Sequence, residues 1–328
     1  VTPATPATPA IVMDGVEKVF PVRRSTTSRL RRERVDVRAV DGVTFSVPAG
    51  SMAGYVGPNG AGKSTAVKLL TGVLVPTGGR VRVAGLDPAR DRVRLARRIG
   101  VVFGQRTQLW WDLPLRHSFD VLRHVYRVPA ARHRANLDTF VDLLDLAPFL
   151  DTPVRQLSLG QRMRGDLTAA LLHDPEIVFL DEPTIGLDVV SKGRVRRFLA
   201  ALNAERGVTV LLTTHDLGDI ERLCSRLLVV DRGRVIHDGP LAAARERWGT
   251  ERTLVVDLEE PAPALAVPGA EVVKVDGARQ WLRFRRAETT AAALIAAVTS
   301  VATVVDLAVE EPHIEDVIAR IYTDGATG

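Results

Sequence analysis

Eight residues constrain this chain more than any others: Gly57-Pro58-Asn59-Gly60-Ala61-Gly62-Lys63-Ser64. They match the spacing G-x-x-x-x-G-K-[ST], in which a glycine-rich turn joins a strand to a helix. The flanks fit, because residues 52–56 read as a buried strand and 65–70 as a helix starting at Thr65. With no side chain at Gly57, Gly60 or Gly62, backbone N–H groups can converge on phosphate oxygens, helped by the positive end of the helix. Pro58, Asn59, Ala61 and Thr65 complete the expected cradle. Lys63 is expected to reach the β- and γ-phosphates, and Ser64 to ligate Mg2+, which takes hydroxyl, carboxylate, water and phosphate oxygens.

Short apolar runs at 177–180, 208–212 and 227–230 alternate with helical patterns at 164–172, 192–204 and 217–224. Strands apolar on both faces belong to parallel sheets covered by helices, so the alternation indicates an α/β fold. The run at 177–180 ends in Asp181-Glu182. In such sheets ligands sit beyond the carboxyl ends of the strands. Asp181 is therefore expected to hold Mg2+ through water, and Glu182 to orient or deprotonate an attacking water. The opening differs: 11–20 and 35–48 read as strands of a mixed or antiparallel sheet, separated by an arginine-rich stretch. A helical insert is expected over about 113–165, plainest at 113–150, where Val121, Leu122 and Val125, then Leu137, Phe140, Val141 and Leu144, recur at helical spacing.

Just before the acidic strand, Leu157-Ser158-Leu159-Gly160-Gln161 resembles the ABC signature, usually LSGGQ. Gln105 follows an apolar strand and resembles the Q-loop glutamine; Ile185-Gly186-Leu187-Asp188 resembles the D-loop; His215 resembles the switch histidine. Phe20 stands where the family has an adenine-stacking aromatic. Over residues 11–240 the chain is thus similar to the ATPase subunits of ABC transporters. The resemblance implies a P-loop NTPase fold with a β subdomain and a helical insert, and ATP with Mg2+ as ligands. It implies a metal set of Ser64, Gln105 and Asp181, and catalytic roles for Glu182, His215 and Gln105. Family members pair head to tail, with the signature serine and second glycine facing the γ-phosphate held by the partner. Ser158, Gly160, Gln161 and Asp188 would so complete the site of a homodimer. Leu159 departs from the pattern by replacing the first glycine of the pair.

The stretch Gln105-Arg106-Thr107-Gln108-Leu109-Trp110-Trp111, the Leu159 variant and the C-terminal extension resemble bacterial drug-, lipid- and polysaccharide-exporting ATPases. That subset implies one or two separate polytopic permease chains, a peripheral position on the cytoplasmic face of the cell membrane, and Trp110 and Trp111 as docking anchors. Residues 250–328 read as a small α+β module for dimerisation or regulation, with strands at 254–258, 272–275, 281–284 and 304–309 and helices at 289–298 and 314–322. The alternative is a non-transport ABC ATPase acting on ribosomes, DNA or cluster assembly; an ordinary P-loop kinase or GTPase would leave the signature unexplained.

Composition narrows the remainder. No apolar run approaches the ~18–20 residues that span a bilayer. Residues 1–10, a repeat of Thr, Pro and Ala, read as a disordered tail. The single cysteine, Cys224, permits no intramolecular disulfide and excludes a Cys-rich zinc site. Five lysines against thirty-nine arginines fit a GC-rich bacterial genome. Up to Gly249 there are 37 basic and 26 acidic residues, against 7 and 13 from Thr250, which marks a domain change near Thr250. Seven arginines lie between Arg23 and Arg38. A local run of this kind points to no specific nucleic acid; it suits a solvated hairpin loop, an acidic permease loop or anionic lipid headgroups.

Overall fold

The computed structural model describes residues 9–25, 32–104 and 106–325. By contacts the chain forms two compact units, residues 1–238 and 239–328. The second unit therefore starts eleven residues before Thr250, at Gly239. Of the expected tail, 1–8 lies outside the described residues; Pro9 and Ala10 already belong to the first strand.

The first unit opens with a long antiparallel hairpin, β1 (Pro9–Ser25) and β2 (Arg32–Pro48). The strands run on into the arginine-rich stretch, as far as Ser25 and from Arg32, with Phe20 opposite Val37 and Val22 opposite Val35. After β3 (Met52–Val56) and α1 (Lys63–Leu70) comes β4 (Gly78–Val83), which joins β1 in a sheet ordered β2-β1-β4. Its Gly-Gly-Arg opening hides it from a hydrophobicity reading. Helix α1 is wedged beside this sheet, and Val67, Leu69 and Leu70 share one core with Ile11, Val43, Phe45, Tyr55 and Phe179. Each such fully buried aliphatic side chain contributes about 1.5–3 kcal/mol.

Helix α2 (Arg92–Ala96) leads to β5 (Ile99–Phe103). The insert follows as α3 (Leu115–Tyr126) and α4 (Ala130–Leu144), two short 3-10 turns at Ala147–Phe149 and Val154–Gln156, and α5 (Leu159–Leu171). Helix α5 starts five residues earlier than hydrophobic periodicity indicates. Ser158 starts it with a capping box: its side chain accepts from Gln161 N–H while the Gln161 side chain accepts from Ser158 N–H. The chain continues through β6 (Ile177–Asp181), α6 (Val189–Arg206), β7 (Thr209–Thr213), α7 (Leu217–Leu223), β8 (Arg226–Asp231) and β9 (Arg234–Pro240). The central sheet is ordered β5-β6-β7-β3-β8-β9, with the first four of these pairings parallel. Strands β3 and β7 are buried at every residue, as their apolar runs require. Cys224 packs beside Gly54 of β3; burial pushes its thiol up to about 12.

The second unit has α8 (Leu241–Trp248), β10 (Glu251–Leu258), β11 (Ala270–Asp276), β12 (Arg279–Arg285), α9 (Ala291–Val301), β13 (Val304–Glu310) and α10 (Ile314–Gly325). Its four strands form an antiparallel sheet ordered β11-β12-β10-β13. Leu294 and Val298 of α9 close its core against Leu254, Val256, Leu282 and Phe284. No helix among the described residues is long and apolar enough to cross a membrane.

Candidate nucleotide-hydrolysis site

Because β5, β6, β7 and β3 are parallel neighbours, their carboxyl ends share one edge. Residues 57–64 leave β3 there, Asp181 ends β6 with Glu182 next in the chain, and Thr213 ends β7 two residues before His215. Gly62 starts α1 at φ +98°, with no side-chain cap, so the first helical amides are free to point into the loop. A Cβ on Gly62 would lie 2.2 Å from the Ala39 carbonyl oxygen of β2. The hairpin therefore abuts the loop, and Phe20 is placed close by in register, opposite Val37 and two residues from Ala39. The Phe20 ring is half-buried beneath Lys18 Nζ, 5.2 Å from its centroid.

Lys63 is buried and folds back over the loop, its Nζ donating to the carbonyls of Gly57 (2.6 Å) and Pro58 (3.2 Å). Burial lowers its pKa, while the charges of Glu182 and Asp181 oppose that shift. Ser64 is exposed beside it. Asp181 is oriented by the Thr213 hydroxyl, which donates to Oδ1 at 2.5 Å. Glu182 sits at φ +58°, an uncommon conformation for a side chain of this size and one that concentrates at functional sites. Its amide donates to the Thr213 carbonyl, fixing the turn. His215 Nδ1 lies 2.6 Å from Glu182 Oε2, an ion-pair contact when the imidazole is protonated, and this buried oxygen accepts no hydrogen bond from the described residues. Such an orphaned acceptor is costly unless a ligand or water completes it.

The residues fit Mg2+. One hydroxyl, Ser64, and one oriented carboxylate, Asp181, with an unsatisfied acceptor alongside, suit a cation that keeps waters and takes phosphate oxygens. A cage of three acidic or imidazole ligands is neither needed nor present among the described residues. Gln105 lies outside the described residues.

The signature residues sit elsewhere. Leu159, 37% exposed, rests on Gly186, where an added Cβ would lie 2.6 Å from Leu159 Cδ2. Gly160 faces Ser191 and Leu187. Asp188 caps α6, accepting from Ser191 N (2.9 Å) and Oγ (2.7 Å), bonds that hold its carboxyl below the usual range. No hydrogen bond or ion pair among the described residues joins Ser158, Gly160 or Gln161 to the loop at 57–64. Two groups escaped the sequence reading. Thr213 was legible only through its register opposite Asp181. The other is a clamp behind His215, where Lys192 pairs with Asp216 (2.7 Å) and Arg196 with buried Asp219 (2.5 Å). A cavity of about 940 Å3 lies at the opposite edge, by the first residues of β6 and β7; its arginines, Arg98, Arg132 and Arg206, are already paired with Glu176 and Asp174.

One substitution tests the loop directly. Gly62→Ala would force an L side chain into φ +98° and against a backbone oxygen, at about 1–3 kcal/mol for the conformation before the clash is counted. A lower Tm and the loss of ATP-dependent stabilisation are expected in thermal unfolding; an unchanged Tm with intact ATP stabilisation would contradict this geometry.

A phosphate-cradling loop on a parallel sheet, with paired acids and a histidine at neighbouring strand ends, defines a P-loop nucleoside-triphosphatase. Residues 40–185 match the family model described as ABC transporter. The daunorubicin resistance ATP-binding protein DrrA3 of Streptomyces coeruleorubidus is 38% identical over 75% of this chain and 73% of its own length. The Nod factor export ATP-binding protein I of Paraburkholderia xenovorans is 36% identical over 72% and 76%. A dimeric bacterial ABC transporter cassette, MJ0796, superposes with a TM-score of 0.57 at 26% identity, covering 70% of this chain and 98% of that one. The chain belongs to the ABC transporter ATP-binding family: it binds ATP and is an ABC ATPase coupled to transport.

Proposed function

We propose that this chain is the energy-coupling subunit of a bacterial exporter, a homodimer held at the cytoplasmic face of the cell membrane by one or two polytopic permease chains. The observation that carries the catalytic part is the carboxyl edge of the sheet, where a buried Glu182 oxygen lies 2.6 Å from His215 Nδ1 and accepts no hydrogen bond from the described residues. There the loop amides and Lys63 bind the β- and γ-phosphates, and Phe20 stacks on the adenine. Ser64, Gln105 and a water on Asp181 would hold Mg2+, which would supply charge neutralisation at the phosphate oxygens. Glu182 orients a water in line with the γ-phosphorus and accepts its proton. The new P–O bond forms as the bond to the bridging oxygen of ADP breaks, with His215 contacting the γ-phosphate. Ser158, Gly160 and Gln161 act on the ATP of the partner subunit, consistent with their lack of bonds to their own loop, and Asp188 lies at that junction.

Export is supported by what the relatives are named for: daunorubicin resistance in DrrA3 and Nod factor export in the other. Trp110 and Trp111, 40% and 50% exposed, form the docking ledge for the permeases; exposed aromatics are the usual interface anchors. The arginines from Arg23 to Arg38 meet anionic headgroups, and the unit beginning at Gly239 assists dimerisation or regulation. Replacing Trp110 and Trp111 together by Ala tests the membrane part. Loss of two anchors, at about 2 kcal/mol each or more, is expected to release the membrane chains in a detergent pull-down while ATP binding persists. Retention of the complex would contradict docking at this ledge.

A further inference from the structure

The ledge that carries Trp110 and Trp111 is tied to α3, where Ser118 Oγ accepts from Trp110 N–H (3.2 Å), and to Arg155, whose backbone N–H donates to the Trp111 carbonyl (2.9 Å). The segment leading into it rests on one face of α5, the helix whose first turn is the signature. Asp166 of α5 is 6% exposed. Its Oδ1 accepts from Thr107 Oγ1 (2.9 Å) and from the backbone N–H of Gln108 (3.0 Å), and its carbonyl accepts from Gln108 Nε2 (3.2 Å). Thr107 Oγ1 in turn accepts from Leu109 N–H (3.1 Å). One residue before Asp166, Gly165 lets Leu109 and Leu115 approach so closely that a Cβ there would lie 3.1 and 2.9 Å from them. One turn earlier, the Arg162 guanidinium lies over the Trp111 ring, 5.7 Å from its centroid. Residues 162, 165 and 166 share a helix face at i, i+3 and i+4 spacing.

A buried carboxylate is an expensive way to fill space. Among the described residues no cation is in hydrogen-bonding contact with Asp166, and burial raises its pKa to about 6 against the pull of Gln108, Thr107 and Arg162. Its side-chain bonds all go to a segment 58 and 59 residues away in sequence, none to its own helix. A group placed for packing or for helix stability would do neither.

We propose that Asp166 is a positioning residue: a latch that makes α5 and the 107–111 ledge one lever, so that engagement of the signature by the partner's ATP is transmitted to the surface that meets the membrane chains. This rests on the nucleotide and docking roles proposed above. Asp166 touches neither the phosphate loop nor the reacting acids, and the latch alters coupling without altering the primary ATP contacts.

The test compares Asp166→Ala, Asp166→Asn and Thr107→Val with the wild-type full chain. Three quantities are read: affinity for Mg-ATP, kcat for ATP hydrolysis, and hydroxyl-radical oxidation of Trp110 and Trp111, resolved by mass spectrometry, with and without ATP. ATP affinity is expected to stay within about twofold throughout, while kcat falls about tenfold in Asp166→Ala. The ATP-dependent change in Trp oxidation disappears with it. Asp166→Asn keeps an acceptor oxygen for both donors and restores the Trp response and most of kcat. Thr107→Val leaves the carboxylate bonded to Gln108, so it folds even if Asp166→Ala does not, and it shows a weakened Trp response. Wild-type Trp response and kcat in both Asp166→Ala and Thr107→Val would overturn the latch, as would a wild-type chain whose Trp oxidation ignores bound ATP. Failure of the wild-type chain to bind ATP would instead overturn the nucleotide reading, and the latch with it.

Discussion

Glu182→Gln is expected to lower ATP turnover by about 10²-fold or more, the range in which a positioned general base acts, with ATP binding intact. The amide has the size and shape of the carboxylate, so the turn at φ +58° and its bond to Thr213 need not change. What disappears is the ability to take a proton from water at the oxygen that now has no hydrogen-bond partner. One negative charge is also removed from the neighbourhood of Lys63, which feels both Glu182 and Asp181. Affinity for a polyanion should therefore hold or rise slightly. With hydrolysis blocked and both halves of a site present on each chain, the ATP-bound dimer should accumulate. Light scattering with Mg-ATP measures it, and a monomer under those conditions would count against the two-chain site.

Lys63→Ala should act at the other end of the process, on binding. Without ligand the ammonium bonds to the Gly57 and Pro58 carbonyls, inside the loop that is to receive phosphate. Phosphate oxygens are stronger acceptors, and each charge-assisted bond to them is worth about 1.5–3 kcal/mol. Loss of two such bonds corresponds to an ATP affinity lower by about 10²-fold or more. The variant also removes the ammonium charge that offsets Asp181 and Glu182, which works in the same direction. Equilibrium titration with Mg-ATP reads the change; an affinity within threefold of wild type would show that Lys63 does not meet the phosphates.

Local chemistry was legible where it is written in contiguous residues. The loop at 57–64 declares itself by spacing, and β6 by an apolar run that stops at two acids. Features that depend on tertiary neighbours were not. The strand character of residues 21–25 and 32–34 comes from cross-strand pairing over an arginine-rich sequence with little apolar alternation. Helix α5 begins at Leu159 because Ser158 and Gln161 cap it, and a hydrophobic pattern does not register a cap. Leu159 reads in sequence as a defect in the signature; in the fold it covers Gly186, where only a glycine leaves room. Asp166 carries no signal at all, because its partners are Thr107 and Gln108. Glu182 was identified by its position, but its left-handed backbone was not, since nothing in Asp-Glu-Pro specifies it.

The most direct test of the central claim is a gentle detergent pull-down of the wild-type chain from its native membranes, with mass spectrometry of the co-purifying proteins. One or two polytopic membrane proteins are expected, and they would be the chains that select the exported cargo. Recovery of only ribosomal, nucleic-acid-binding or other non-membrane partners, with ATPase activity intact, would contradict the exporter and favour a non-transport ABC ATPase.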